Sequence, residues 1–188
     1  MAITKQTAEI FEILSKGQFI SSNSSVEQVR KLFGVIEDNF VELCRYFNEI
    51  NFTLERGDEY FYFSRPESRV DLERKIERAY KWIDILDFFK AHDNAFGPGT
   101  RFTPAEILVK LNVDVMLKSK LAGLKRYTKD ERYDVAIQKL IEILCREGFA
   151  ELENEVIHSY KVLASFSYLE NLIMSIHIPE DIQNEIPE

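Results

Sequence analysis

One local pattern occurs twice in this chain: a helix-forming stretch that runs through Leu-Cys-Arg and passes directly into a two-stranded hairpin. The first copy is Leu43-Cys44-Arg45, followed by Phe52-Thr53-Leu54-Glu55, a turn at Arg56-Gly57-Asp58-Glu59, and the return Tyr60-Phe61-Tyr62-Phe63. The second is Leu144-Cys145-Arg146, a stop at Gly148, then Ala150-Glu151-Leu152-Glu153 and the return Val156-Ile157-His158-Ser159-Tyr160. In each case a 3.6-residue apolar period gives way to an alternating one across a turn. Duplication of that unit restricts the chain to two small bodies, each made of helices capped by a β-ribbon.

A helix followed by such a ribbon is the signature of a winged helix. The expected fold class is therefore mostly α with small β-hairpins (α+β): tandem winged-helix domains joined by a long helix. The expected boundaries are 1–65 for the first domain, 66–102 for a linking helix and loop, 103–178 for the second domain and 179–188 for a loose acidic tail. The opening helix spans 5–16, with Ala8, Phe11 and Leu14 on one face, and Gly17 ends it. Phe19-Ile20 can form the short strand that pairs with a wing, and Ser21-Ser22-Asn23-Ser24-Ser25 is a turn rich in helix-capping side chains. A short helix runs to about Phe33, and Ile36, Phe40, Leu43, Phe47 and Ile50 then form one helical stripe. Pro66 opens the linking helix, whose Leu72, Ile76, Ala79, Ile83 and Leu86 repeat like a heptad seam. Thr103-Pro104-Ala105-Glu106 reads as a capping box. A helix over residues 113–124 follows, then a major helix through Tyr133, Ile137, Leu140, Ile141 and Leu144. Leu163, Phe166, Leu169, Ile173 and Ile176 mark the last helix.

Charge separates along the chain. Residues 66–129 hold 13 basic and 9 acidic side chains, against 7 and 10 before them and 4 and 13 after them, within a formal net charge of −8. A net-acidic protein is a poor stand-alone binder of phosphate over its whole surface, and a basic middle between acidic ends suits different partners on different faces. Cys44 and Cys145 form no CxxC pair and have no histidine at metal-ligand spacing, so each is expected as a small buried apolar residue in a reduced compartment. The N-terminus has no leader-like basic and apolar run, and no apolar stretch approaches the roughly 20 residues of a membrane span. These features give a cytoplasmic expectation. Gly97-Pro98-Gly99-Thr100 lacks the lysine of a phosphate-binding loop, and His92, His158 and His177 are scattered. Adjacent side chains diverge, so His92-Asp93 makes a poor base–orienter pair. The sequence points away from an enzyme, and neither a cofactor nor a metal is expected.

Two sets of candidate binding residues remain. Lys118, Lys120, Lys125, Arg126 and Lys129, with Tyr127 among them, can neutralise several phosphates while an aromatic packs on sugar or base. The competing reading is a solvated loop paired with neighbouring acids. Arg74, Lys75, Arg78 and Lys81 form a weaker second basic set. In the first major helix Asp38, Glu42 and Glu49 share the outer face with only Arg45, which suits a DNA groove badly. The protein-interface candidates are Tyr60 and Tyr62, on the second face of the ribbon, and Trp82, Phe88 and Phe89, off the heptad stripe. Either the next helix or a partner covers the tyrosines, and a long helix with two apolar faces packs on two things, one of them a second copy of the chain.

The run Ile10-Phe11-Glu12-Ile13-Leu14-Ser15-Lys16-Gly17-Gln18-Phe19-Ile20 resembles the opening of bacterial MukE- and MksE-type proteins, as do Ile36-Glu37-Asp38-Asn39-Phe40 and Phe52-x-Leu54-Glu55-x-Gly57-x-x-Tyr60-Phe61-Tyr62-Phe63. The likeness is best over residues 8–90 and looser after 103. It implies a kite protein: a tandem winged-helix subunit of a condensin-like SMC complex, including Wadjet-type versions. What it implies for function is a non-catalytic subunit that dimerises, binds the kleisin beside the SMC ATPase, associates with the nucleoid and has non-specific DNA within reach, in chromosome organisation or plasmid defence. It carries no catalytic residues over to this chain. The alternative is a winged-helix transcription regulator that reads two half-sites through the 118–129 patch.

Overall fold

The computed structural model describes residues 5–65, 69–129 and 132–175, with the side chains of 69–73 excepted. The Pro66 helix start, the Leu72 side chain, Ile176 and the tail 179–188 lie outside the described residues.

The element order repeats. The first half runs α1 (Lys5–Leu14), β1 (Ile20–Ser21), α2 (Glu27–Asp38), α3 (Phe40–Asn48), β2 (Thr53–Arg56) and β3 (Tyr60–Ser64). The second runs α4 (Arg69–His92), β4 (Arg101–Phe102), α5 (Pro104–Val113), α6 (Val115–Gly123), α7 (Lys125–Thr128), α8 (Tyr133–Arg146), β5 (Ala150–Asn154), β6 (Ser159–Val162) and α9 (Phe166–Ser175). Each half builds a three-stranded antiparallel sheet in which the last strand lies between the other two, β1-β3-β2 and β4-β6-β5. The fold is thus mixed: mostly helix, with two small antiparallel sheets.

Local chemistry explains most element ends. Gly17 and Gly148 adopt positive φ (77° and 79°), the left-handed conformation that closes a helix without a Cβ penalty. Thr103 and Glu106 form the expected capping box: Glu106 N–H donates to Thr103 Oγ1 at 3.2 Å and Thr103 N–H to Glu106 Oε2 at 2.7 Å. The first ribbon pairs Leu54 with Phe63 and Arg56 with Phe61, which puts Leu54 and Phe61 in the core. Gly57 is required because the Tyr60 ring lies over it; a Cβ there would sit 2.0 Å from the ring.

Several expectations need correction. The Ile36–Ile50 stripe is two helices: the chain breaks at Asn39, whose side-chain amide donates to the Val35 carbonyl at 2.9 Å, so Ile36 belongs to α2 and Ile50 is exposed. In α1 the buried residues are Thr7, Ile10 and Leu14, and Ala8 faces solvent. In α4 the seam is rotated: Ala79, Trp82, Ile85, Leu86, Phe88 and Phe89 are buried while Ile76 is 43% exposed. Trp and Phe remove more apolar area from water than Ile does, so the larger rings set the buried face. Residues 66–102 also do more than connect, because α4 supplies its rings to the second core and β4 is a strand of the second sheet.

The described residues form two cores. The first gathers Ile10, Leu14, Ile20, Leu32, Phe33, Ile36, Leu43, Phe47, Leu54 and Phe61. The second is larger, reaching from Trp82 and Phe89 on α4 through α5, α6 and α8 to Phe166 and Leu169 on α9.

Candidate functional site

The halves meet along a seam made by residues 19–25. Phe19, partly buried, leaves the first core and packs on the second, with ring centroids 5.4 Å from Phe149 and 5.3 Å from Tyr168, and 5.8 Å from both Tyr60 and Tyr62. Next to it the Ser-Ser-Asn-Ser-Ser run makes a polar lock instead of capping α2, whose N-cap is Val26 with no side-chain bond. Asn23 Nδ2 donates to the Val162 carbonyl at 3.1 Å, and Ala164 N–H donates to Asn23 Oδ1 at 2.8 Å. Ser24 Oγ donates to Glu151 Oε2 at 2.8 Å, and Ser25 N–H donates to the other oxygen of that carboxylate. Lys161 Nζ donates to Ser25 Oγ at 2.9 Å and faces Glu151 and Glu153 at 3.7 and 3.4 Å. A lysine 8% exposed is tolerable only when its charge is met in this way. Glu153 also takes a two-pronged pair from Arg101, at 2.6 and 2.9 Å, and that hydrogen-bonded guanidinium holds the Glu153 carboxyl below its usual range.

Sequence reasoning had no handle on this seam. Its one legible signal was the density of small polar residues at 21–25, which also fits an ordinary turn. The return strand was expected over residues 156–160, whereas β6 runs Ser159–Val162 with all four residues buried, Lys161 included.

Beside the seam lies a groove of about 700 Å³ between the halves. Among the described residues Lys16, Arg65, Arg74, Lys75, Arg78 and the carboxylate of Glu147 face it. Its walls include Phe19, Tyr62, Trp82 and Phe149. Arg65 stacks over the Phe52 ring at 3.8 Å, which fixes one cation at the rim. The second basic set read from the sequence is thus partly gathered here, through Arg74, Lys75 and Arg78. Lys81 instead lies near the Trp82 and Tyr127 rings, its pKa lowered mainly by burial.

The interface candidates fall mostly inside the chain. Tyr60, Trp82, Phe88 and Phe89 are buried, and Trp82 meets Phe149 edge-on at 5.1 Å. Tyr62 alone stays half-buried, lining the groove, and burial raises its hydroxyl pKa. Cover over the ribbon's second face comes from within the chain, from Phe19 and from Tyr168 of α9, which meets Tyr62 at 5.0 Å.

The cationic candidates sit on α6 and α7, two helices between α5 and α8 that have no counterpart in the first half, where only Asn39 separates α2 from α3. Lys120 pairs with Asp87, and Arg126 with Asp84, both acids of α4. Tyr127 donates its hydroxyl to Asp84 at 2.8 Å and lies under the Arg126 guanidinium, so its ring serves the protein's own packing. Lys118 donates to the Asn112 carbonyl at 3.1 Å, while Lys125 and Lys129 are exposed. Asp38 at the end of α2, Glu42 and Arg45 of α3 and Glu49 just after it face solvent, and α8 presents Asp134, Glu142 and Arg146.

His92 is half-buried at the end of α4, its Nδ1 enclosed without a hydrogen-bond partner. Burial, and then the Lys110 cation beside it, lowers its pKa. Burial likewise raises both thiols, Cys145 to about 11. Among the described residues no group of His, Cys, Asp and Glu is arranged to hold a metal ion, and no helix is long and apolar enough to cross a membrane.

Comparison with curated proteins finds no match. The family model described as condensin complex protein MksE, however, matches residues 5–173, nearly the whole described chain. A match over so much of the chain shows that it belongs to the MksE family, and so is a subunit of a condensin-like SMC complex.

Proposed function

We propose that this chain is the non-catalytic accessory subunit of its SMC–kleisin complex: two winged-helix units that pair with a second copy, hold the kleisin, and sit beside the SMC ATPase. The observation that carries this reading is the MksE family match over residues 5–173. Asp38, Glu42 and Glu49 in and beside α3, with Asp134 and Glu142 of α8, are exposed acids on the helices that would face a groove of DNA in a winged-helix reading, and they favour protein partners over base readout. They also disfavour a sequence-specific transcription regulator.

Dimerisation has a candidate surface in Val109, Val113, Val115 and Met116. These apolar side chains are exposed on α5 and at the start of α6, with Val109 and Val113 one turn apart. In this reading Lys118, Lys125 and Lys129 give a weak, sequence-blind contact to DNA passing through the complex, in chromosome organisation or plasmid defence. Lys120 and Arg126 add less, because α4 already neutralises them.

Affinity purification of the tagged chain from its own cells tests the proposal. Recovery of a kleisin and a long coiled-coil ATPase supports it, and recovery of neither removes it. Val113→Glu with Met116→Glu should convert a dimer to a monomer in sedimentation. DNA binding should fall steeply with salt and show no preferred sequence; one high-affinity site abolished by charge reversal at Lys118 and Lys125 would establish the regulator instead.

A further inference from the structure

The turn of the second ribbon is unlike that of the first. The first ribbon turns through Gly57, Asp58 and Glu59, whereas the second carries two β-branched aliphatics, Val156 at 90% exposure and Ile157 at 63%. Turns favour small polar residues, so an aliphatic pair held in water there marks a contact surface. The pair is fixed in place: Asn154 Oδ1 accepts from the Val156 N–H at 2.9 Å and from the Ile157 N–H at 3.3 Å. Leu152, 41% exposed, adds a third aliphatic on the strand that leads to the turn.

These aliphatics join the outer face of α8. Leu152 pairs with Tyr160, and Gln138 of α8 donates to the Tyr160 hydroxyl at 3.4 Å and to Glu142 at 3.3 Å. Asp134, Gln138 and Glu142 stand at i, i+4 and i+8 on one side of the helix, and with Val135 and Lys139 they line an open depression of about 320 Å³. Charge on this face is unbalanced. Lys139 donates to the Thr128 carbonyl, Asp134 is met by Arg132, and Arg146 by Glu147. Among the described residues neither Glu142 nor Glu155 has an ion pair. The other face of the ribbon is already taken, since Glu151 and Glu153 meet the seam, Lys161 and Arg101.

A complement to this surface needs cations beside aliphatics. It also needs a backbone satisfied within itself, because α8 and the turn offer side chains, and Asn154 closes off the Val156 and Ile157 N–H groups. An amphipathic helix with lysines or arginines along the edge of its apolar stripe meets both demands.

We propose that the outer face of α8 and the turn of the second ribbon together hold a Lys- or Arg-rich amphipathic helix of a protein partner. Val156 and Ile157 lie against its apolar stripe, and Glu142 and Glu155 take its cations. This rests on the accessory-subunit reading only in taking the partner to be a protein.

The test places the photo-cross-linker p-benzoylphenylalanine at Ile157 of the full chain, irradiates the cells that make it and sequences the cross-linked peptides by mass spectrometry. The expected product is a stretch of another protein with aliphatics at helical spacing and a net positive charge. A synthetic peptide of that stretch, followed by anisotropy, should bind the parent chain and bind Glu142→Lys with Glu155→Lys about tenfold more weakly. Val156→Ser with Ile157→Ser should weaken it similarly, and circular dichroism melts keep the comparison to folded variants. Binding should also weaken as NaCl rises from roughly 0.1 to 0.5 M. A cross-link to DNA, to a second copy or to an acidic stretch overturns the proposal, as does the absence of any cross-link or equal binding by the charge-reversed variant. Recovery of a kleisin and its ATPase without such a cross-link removes this inference and leaves the accessory-subunit reading standing; a basic amphipathic helix from some other protein does the reverse.

Discussion

The two halves share an element order and a sheet topology, yet their central strands live in different surroundings. In β3 only Tyr60 and Phe61 are buried and the remaining residues are half-exposed; in β6 all four residues are buried, including Lys161. The cause is docking. The first half lays Asn23, Ser24 and Ser25 on the second ribbon through hydrogen bonds and Phe19 on Phe149, whereas the outer face of the first ribbon receives the rings of Phe19 and Tyr168. The second half also has the larger core, drawing in α4, α9 and the inserted α6. A repeated topology therefore does not imply repeated roles. The second half acts as the platform, and the first is attached to it by the ring contacts of Phe19 and Tyr62 and by a short polar run.

Breaking either core should have the largest effect. Phe89→Ala and Phe47→Ala each remove a fully buried ring and should cost ~3–5 kcal/mol in urea unfolding. If the halves are docked as described, both variants shift one common transition; two separate transitions in the parent chain would contradict the platform picture. Asn23→Ala attacks the dock itself. It leaves the Ala164 N–H without its acceptor and removes a donor to Val162, at about 1–3 kcal/mol, and should begin to separate the unfolding of the two halves. Gly57→Ala tests the first half alone: the added methyl must displace the Tyr60 ring, costing about 1–3 kcal/mol and loosening the ribbon without touching the second core.

Smaller effects separate the halves by titration and reactivity. Burial lowers the His92 pKa below its ordinary 6.5, so the folded chain resists protonation there and the unfolded chain takes up the proton first. Stability should therefore fall as the pH drops below about 6.5 and level off once the folded chain is protonated too, a slope that His92→Asn should remove from the pH profile. The twin cysteines give the finest comparison. Cys145, with its pKa near 11, lies deeper than Cys44, so iodoacetamide at pH 8 should label Cys44 first, as mass spectrometry of the intact protein can follow.

Much of this architecture was legible residue by residue. Alternation in Leu54, Phe61 and Phe63 fixed the first ribbon's inner face, because a one-residue slip would expose it. Glycine at 148 and the Thr103–Glu106 box set helix ends through backbone geometry and local hydrogen bonds, which act over a few residues and so appear in any short window. Periodicity placed Leu140, Ile141 and Leu144 inside correctly. It failed at Asn39, where the apolar period continues across a backbone break, and on α4, where ring size outweighed spacing.

The candidate site was far less legible. The sequence by itself determined that the chain has two like halves, that the middle is basic, and that Tyr60, Tyr62, Trp82, Phe88 and Phe89 need cover. Only the tertiary structure decided what covers them: Tyr60 and Tyr62 lie under Phe19 and Tyr168, and the α4 rings lie within the chain's own core. It likewise decided that Asp84 and Asp87 neutralise two of the five candidate cations, and that the Ser-Ser-Asn-Ser-Ser turn is a lock on β6. The physical reason is range. Capping, periodicity and turn chemistry act between near neighbours in the chain, whereas a hydrogen bond from Asn23 to Val162 leaves no trace in the sequence around either residue.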